Sequence, residues 1–166
     1  MEEIKKQHIR KDELYDNLCN TLNALISEEK DWLANLANSS ALLWMMLDDI
    51  NWAGFYLYKN NELVLGPFQG KPACTHIELG KGVCGSAALS RETQVIKNVH
   101  EFPGHIACDS QSNSEIVVPI IKNNILIGVL DIDSPLYSRF DEIDKKYLEE
   151  FVYILNEHIT YPEKFI

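Results

Sequence analysis

Positive charge is scarce in this sequence. Lys and Arg number 15 against 25 Asp and Glu in 166 residues, a formal net charge of −10. Such a balance repels nucleic-acid phosphates and anionic membrane surfaces unless a local basic patch overrides it. No such patch is present: Lys5-Lys6, Arg10-Lys11 and Lys145-Lys146 are interleaved with acids and read as solvated helix faces. Neither nucleic acid nor membrane is therefore expected as a partner. Long hydrophobic runs are missing as well. Residues 41–47 and 125–130 are far too short to span a bilayer, and the N-terminus has no charged segment followed by an apolar one. The expected location is the cytoplasm. Repeats and low-complexity segments are absent, and Gly80-Lys81-Gly82-Val83-Cys84-Gly85 lacks the Walker spacing and its Lys-Ser/Thr ending.

What remains has the composition of a folded domain, with 46% apolar and 24% charged residues. The length predicts one domain over 1–166. Leu14, Leu18, Leu22 and Leu25-Ile26 recur at three- and four-residue steps and predict an amphipathic helix over 10–29. A second helix is expected over 31–47, with Asn38-Ser39-Ser40 able to bend or interrupt it and Trp44, Met45 and Met46 packed in the core. Residues 52–58 and 63–68 read as a hairpin, 74–79 as a short strand, 84–90 as a helical segment and 94–97 as a strand. Strands 115–122 and 125–132 are joined by Asn123-Asn124, a connection suited to a type I′ turn. A helix over 141–159 closes the chain. The fold class expected is α+β, an antiparallel sheet flanked by N-terminal helices (about 10–48) and a C-terminal helix (about 141–159), with the sheet and active-site loops over about 50–133.

Four cysteines in a reducing compartment argue against a static disulfide framework and leave metal binding, redox chemistry or plain packing. Cys19 lies on a helical stripe and is set aside as packing. Cys74, Cys84 and Cys108 fall in Gly/Pro-punctuated segments, but their spacing does not match the paired ligands of a structural zinc site, even with His76, His100 and His105 as supplements. Cys108 stands apart, in the long irregular segment 98–114, with His105 three residues before it and Asp109 beside it. A nucleophilic thiol there, with further thiols to attack its oxidised form, is the inventory of a reductase.

Acids form a second constellation. Asp131 and Asp133, two apart on a strand, share a sheet face. Across Asn123-Asn124, residues whose numbers sum to about 247 face each other, which places Glu115 opposite Ile132 and diagonal to both aspartates. Three such acids either bind an ammonium group, a cation or a shared proton, or are exposed strand termini. Trp52 and Tyr56, four apart on one strand face, are either core or ligand wall.

Taken in order, Asn51-Trp52-Ala53-Gly54-Phe55-Tyr56, the segments 66–74 and 80–85, the stretch 100–110 and Ser114-Glu115-Ile116-Val117-Val118-Pro119 resemble the free methionine-R-sulfoxide reductases, and the closing helix led by Ser138-Arg139-Phe140-Asp141 resembles that of a GAF domain. The resemblance covers nearly the whole chain. It implies a GAF-like fold and reduction of free L-methionine (R)-S-oxide, with Cys108 as the nucleophile that becomes a sulfenic acid, Cys84 as the resolving cysteine and Cys74 as a further cysteine of the recycling route. It also implies thioredoxin as electron donor, Trp52 and Tyr56 as the wall for the S-methyl group, and Glu115, Asp131 and Asp133 as polar binding residues. No cofactor and no metal enter this scheme. A protonated carboxyl, for which Asp133 is favoured, supplies the proton with which the sulfoxide oxygen leaves, and the other acids pair with the substrate ammonium. The alternatives are a non-catalytic GAF module for a small ligand such as a cyclic nucleotide, disfavoured by the lack of an attached effector domain, and a thiol redox sensor. The cysteine pairing and the oligomeric state, a homodimer included, stay open.

Overall fold

The computed structural model describes residues 9–105 and 108–165. Two helices, α1 (Lys11–Ile26) and α2 (Trp32–Met46), precede the hairpin of β1 (Trp52–Lys59) and β2 (Glu62–Gly70). A strap leads to the short β3 (His76–Glu78) and to α3 (Gly82–Ser90), followed by β4 (Gln94–Ile96) and a single 3-10 turn at Val99–Glu101. The loop that contains Cys108 then enters the hairpin of β5 (Ser114–Lys122) and β6 (Ile125–Ser134), and α4 (Glu142–His158) ends the fold. All pairings are antiparallel, in the order β3-β2-β1-β6-β5-β4. The architecture is the expected α+β one. Among the described residues no helix is long and apolar enough to cross a membrane.

The sheet has two apolar faces, and the two-residue period of its strands sorts the side chains between them. Ala53, Phe55, Leu57, Ile116, Val118, Ile120, Leu130 and Ile132 point into the main core beneath α1, α2 and α4. Trp52, Tyr56, Val117 and Val129 point the other way, into a smaller core that α3 covers with Val83, Cys84, Ala87 and Ala88. Asp131 and Asp133 share the face of Val129, and Glu115 shares that of Val117, so all three acids lie on the α3 side.

Both hairpins turn on paired asparagines. Asn60-Asn61 and Asn123-Asn124 all have φ between 51 and 66°, the left-handed geometry that type I′ turns require. Asp141 caps α4 through the backbone N–H groups of Ile143 and Asp144. Asp144 itself is fully buried, accepting a hydrogen bond from Tyr15 Oη at 2.6 Å and pairing with Arg139 at 3.1 Å and with Lys11. This cluster ties α1 to α4.

Three local expectations are corrected. Helix α2 runs through Asn38-Ser39-Ser40 without a break, because the hydroxyls of Ser39 and Ser40 are turned back onto the helix's own carbonyls of Asn35 and Ala37. Trp44 and Met45 are not core residues; they are 41% and 73% exposed, on the side of α2 that faces away from the sheet. The hairpin register also departs from a constant sum of 247. It holds at Lys122↔Ile125 and Ile121↔Leu126, then slips by one at a bulge, so that Ile120 pairs with Gly128 and Glu115 with Asp133 rather than Ile132. The bulge precedes Gly128, where strand β6 presses so closely on β1 that a Cβ would lie 2.1 Å from the carbonyl oxygen of Tyr56. This one-residue slip brings Glu115 onto the face of the aspartates.

Candidate active site

A pocket opens on the α3 side of the sheet, lined by Trp52 and Tyr56 of β1, the strap 71–73, Val83 and Cys84 of α3, Glu115 of β5, Asp131 and Asp133 of β6, and His105, Cys108, Asp109 and Ser112 of the long loop. Glu115, Asp131 and Cys84 form its floor. The Cys84 thiol donates to Glu115 Oε1 at 3.8 Å, and a carboxylate oxygen of Asp131 lies within 4.8 Å of both Cys84 Sγ and a Glu115 oxygen. Asp133 stands beside Glu115 across the strand pair.

Burial governs the charge of this floor. Loss of water raises the Asp131 carboxyl to about 6, against smaller opposing effects of the neighbouring Cys84 and Glu115. Glu115 is pushed well up, first by burial and then by the neighbouring charges of Asp131 and Asp133. Asp133 rises through burial and then through Asp131 and Asp109. Acids this close do not ionise independently, so the cluster holds its protons to higher pH than exposed carboxyls do. Burial likewise holds Cys84 as a neutral thiol, with Asp131, Glu115 and Asp133 adding to the effect.

Trp52 and Tyr56 form a stacked wall, their ring centroids 5.8 Å apart, with Phe68 stacked on Trp52 at 5.1 Å. They also hold the strap. The Trp52 indole donates to the carbonyl of Lys71 at 3.2 Å and the Tyr56 hydroxyl to the carbonyl of Cys74 at 2.9 Å. Cys74, which lies before β3 and not within a strand, is bonded to Cys108 in a disulfide. Cys84 and Cys19 are buried free thiols. The partner of Cys108 in this state is thus Cys74, while Cys84, to which the resemblance gave the resolving role, is unbonded.

The Cys108 loop is anchored by residues that sequence reasoning passed over. Asn51 donates to Ser112 Oγ at 3.1 Å and to Asp109 Oδ2 at 3.5 Å, while Lys71 reaches Gln111 Oε1 at 2.7 Å and Asp109 Oδ2 at 3.5 Å. Their one signal in the sequence was proximity to the motifs of Trp52, Cys74 and Cys108. His105 is held toward its neutral form by burial and by His100, which limits the positive charge it lends to Cys108. The Cys/His set weighed for zinc is not assembled: His76 bonds Glu62 and His100 bonds Asn113, both at 2.8 Å.

Comparison with known proteins places these features in a family. The GAF domain family matches residues 30–159. The chain is 54% identical over 144 residues to the free methionine-R-sulfoxide reductase of Escherichia coli, an alignment that covers 87% of each protein. It is similar to the structure of fRMsr of Staphylococcus aureus in complex with substrate, with a TM-score of 0.84, 56% identity and coverage of 87% of this chain and 94% of that one. It is also similar to the free methionine-R-sulfoxide reductase of Neisseria meningitidis in complex with its substrate, with a TM-score of 0.88, 43% identity and 95% coverage of both chains. On these matches the chain is a GAF-domain protein that belongs to the free methionine-R-sulfoxide reductases.

Proposed function

We propose that this oxidoreductase converts free L-methionine (R)-S-oxide to L-methionine, with Cys108 as nucleophile and Cys74 as the thiol that resolves it. The observation that carries the reading is the Cys74–Cys108 bond at a pocket with a wall of Trp52 and Tyr56 and a floor of buried acids. The Cys108 thiolate attacks the sulfoxide sulfur while a protonated carboxyl, assigned to Asp133, donates to the sulfoxide oxygen. Oxygen passes to Cys108 as a sulfenic acid and methionine leaves with both sulfur electrons restored. The Cys74 thiol then attacks the sulfenic sulfur, expelling water and closing the disulfide. Two electrons and two protons from a dithiol, assigned to thioredoxin in a reducing compartment such as the cytoplasm, reopen it.

The remaining pocket groups set selectivity. Glu115 and Asp131 pair with the substrate ammonium, whose charge favours their ionised forms. The aromatic wall fixes the S-methyl group and thereby selects one configuration at sulfur. The test is a single turnover by reduced protein. One equivalent of free sulfoxide should consume two thiols per methionine formed and yield a Cys74–Cys108 peptide, in the wild type and in Cys84→Ser alike. Loss of the bridge in Cys84→Ser, with Cys108 left as sulfenic acid, would restore Cys84 as resolver and refute the role of Cys74.

A further inference from the structure

We propose that Cys84, Glu115 and Asp131 form a binding site for one divalent cation of the zinc class at the floor of the pocket, an inhibitory site rather than a seat for a resident cofactor. The Cys84 thiol sulfur and one oxygen from each carboxyl lie within 4.8 Å of one another. Around a tetrahedral zinc ion, with Zn–S of about 2.3 Å and Zn–O of about 2.1 Å, neighbouring donors stand about 3.5 Å apart. The 3.8 Å between Cys84 Sγ and Glu115 Oε1 is close to that edge. The three donors come from α3, β5 and β6, so their spacing is held by helix and sheet rather than by a loop.

A second observation points to a ligand. Asp131 is 6% exposed, and its Oδ1 atom is buried with no hydrogen-bond partner among the described residues, although the residue lines the pocket. An orphaned carboxylate oxygen at a closed polar floor is a costly arrangement that a bound cation relieves. The cavity of about 40 Å³ above it has room for a water-sized occupant. The donor set selects the metal class. One thiolate and two carboxylates suit zinc or cobalt, whereas magnesium and calcium favour oxygen-only shells. The three protein donors leave a fourth position, which a water completes.

Entry of the cation is proton exchange, without oxidation or reduction. The metal–sulfur bond forms as the Cys84 S–H proton leaves to solvent, and the protons shared among the carboxyls leave as the metal–oxygen bonds form. The site does not depend on the state of the other thiols, since Cys84 is free while Cys74 and Cys108 are bonded to each other. It stands on donor geometry, independently of the reaction assigned above, and a cation there occupies the floor against which the substrate ammonium was placed.

The experiment is titration of the whole disulfide-form protein with Co²⁺, followed by Zn²⁺. The expected result is one Co²⁺ per chain with a near-ultraviolet thiolate-to-cobalt band, abolished by stoichiometric Zn²⁺, lost in Cys84→Ser, and weakened at least tenfold in Glu115→Gln. A Cys108→Ser protein should keep the band while losing sulfoxide turnover, so the cation site and the proposed reaction fail separately. X-ray absorption of the zinc-loaded wild type should show one sulfur near 2.3 Å with oxygen neighbours, a readout that needs no variant to fold. Oxygen-only coordination, absence of the thiolate band, or a band that survives Cys84→Ser would overturn the proposal.

Discussion

Reducing the disulfide should loosen the whole fold, and the loop that it closes sets the size of the effect. Cys74 and Cys108 are 34 residues apart in sequence. Cross-linking a loop of that length removes about 13 cal/mol/K of chain entropy from the unfolded state, about 4 kcal/mol at 25 °C. For a chain of this size each kcal/mol moves the midpoint by about 2–4 °C, so reduction lowers Tm by about 8–16 °C. The closed segment includes β3, α3 and β4, so the loss should be felt across the α3 side of the sheet. Differential scanning calorimetry of the oxidised and reduced forms measures the shift directly. Cys84→Ser should keep the difference between the two forms, because Cys84 has no part in the bond, and Cys74→Ser should abolish it. A shift that persists in Cys74→Ser, or disappears in Cys84→Ser, would refute both the pairing and the loop-closure reasoning.

Other outcomes follow from the same contacts. Asp144→Asn removes the buried carboxylate that Lys11, Tyr15 and Arg139 share; it should cost about 3 kcal/mol, read as a fall in Tm of about 6–12 °C, and a change within 1–2 °C would show the cluster to be dispensable. Tyr56→Phe deletes the hydroxyl that holds the carbonyl of Cys74, and about 1 kcal/mol of lost positioning should slow disulfide closure about fivefold in single-turnover fluorescence; an unchanged rate contradicts that role. Asp131 sits at about 6 in the folded protein and near 4 when unfolded. The folded state therefore binds this proton more tightly, and the Asp131 contribution to stability falls as pH rises from about 4 through 6. Asp131→Asn should flatten that decline in melts taken between pH 4 and 7, and parallel curves would contradict the assignment.

Periodicity exposed the elements because the helices and strands of this chain are amphipathic in the ordinary way. Leu14, Leu18 and Leu22 located α1, and Asn123-Asn124 marked the tight β5–β6 hairpin. The misses share a physical origin. Each depended on a contact, within a helix or between segments, that the hydrophobic pattern does not encode. The β6 bulge before Gly128 reflects the close approach of Tyr56 in β1, and it moved Glu115 from beside Ile132 to beside Asp133. Helix α2 continues through Ser39 because its hydroxyls bond within the helix, and Met45 is exposed because three helices already fill the main core.

The candidate site was legible as a set of residues and much less so as an arrangement. Cys108, Cys84, Trp52, Tyr56 and the three acids line one pocket, and Cys74 is bonded to its Cys108. The union of Cys74 with Cys108 depends instead on a strap hung from Trp52 and Tyr56, and sequence spacing carries no trace of it. Nor could composition disclose that Cys84 is sealed against Glu115 as a neutral thiol. Part of the large acidic excess proves to be local, with Glu115 and Asp131 buried at the pocket.

The most direct test of the central claim is steady-state turnover with thioredoxin as donor, comparing the R and S sulfoxides of free L-methionine with methionine sulfoxide inside a peptide. The account predicts turnover of the free R form alone, lost in Cys108→Ser. Equal reduction of the peptide-bound or S form, or undiminished turnover by Cys108→Ser, would contradict it.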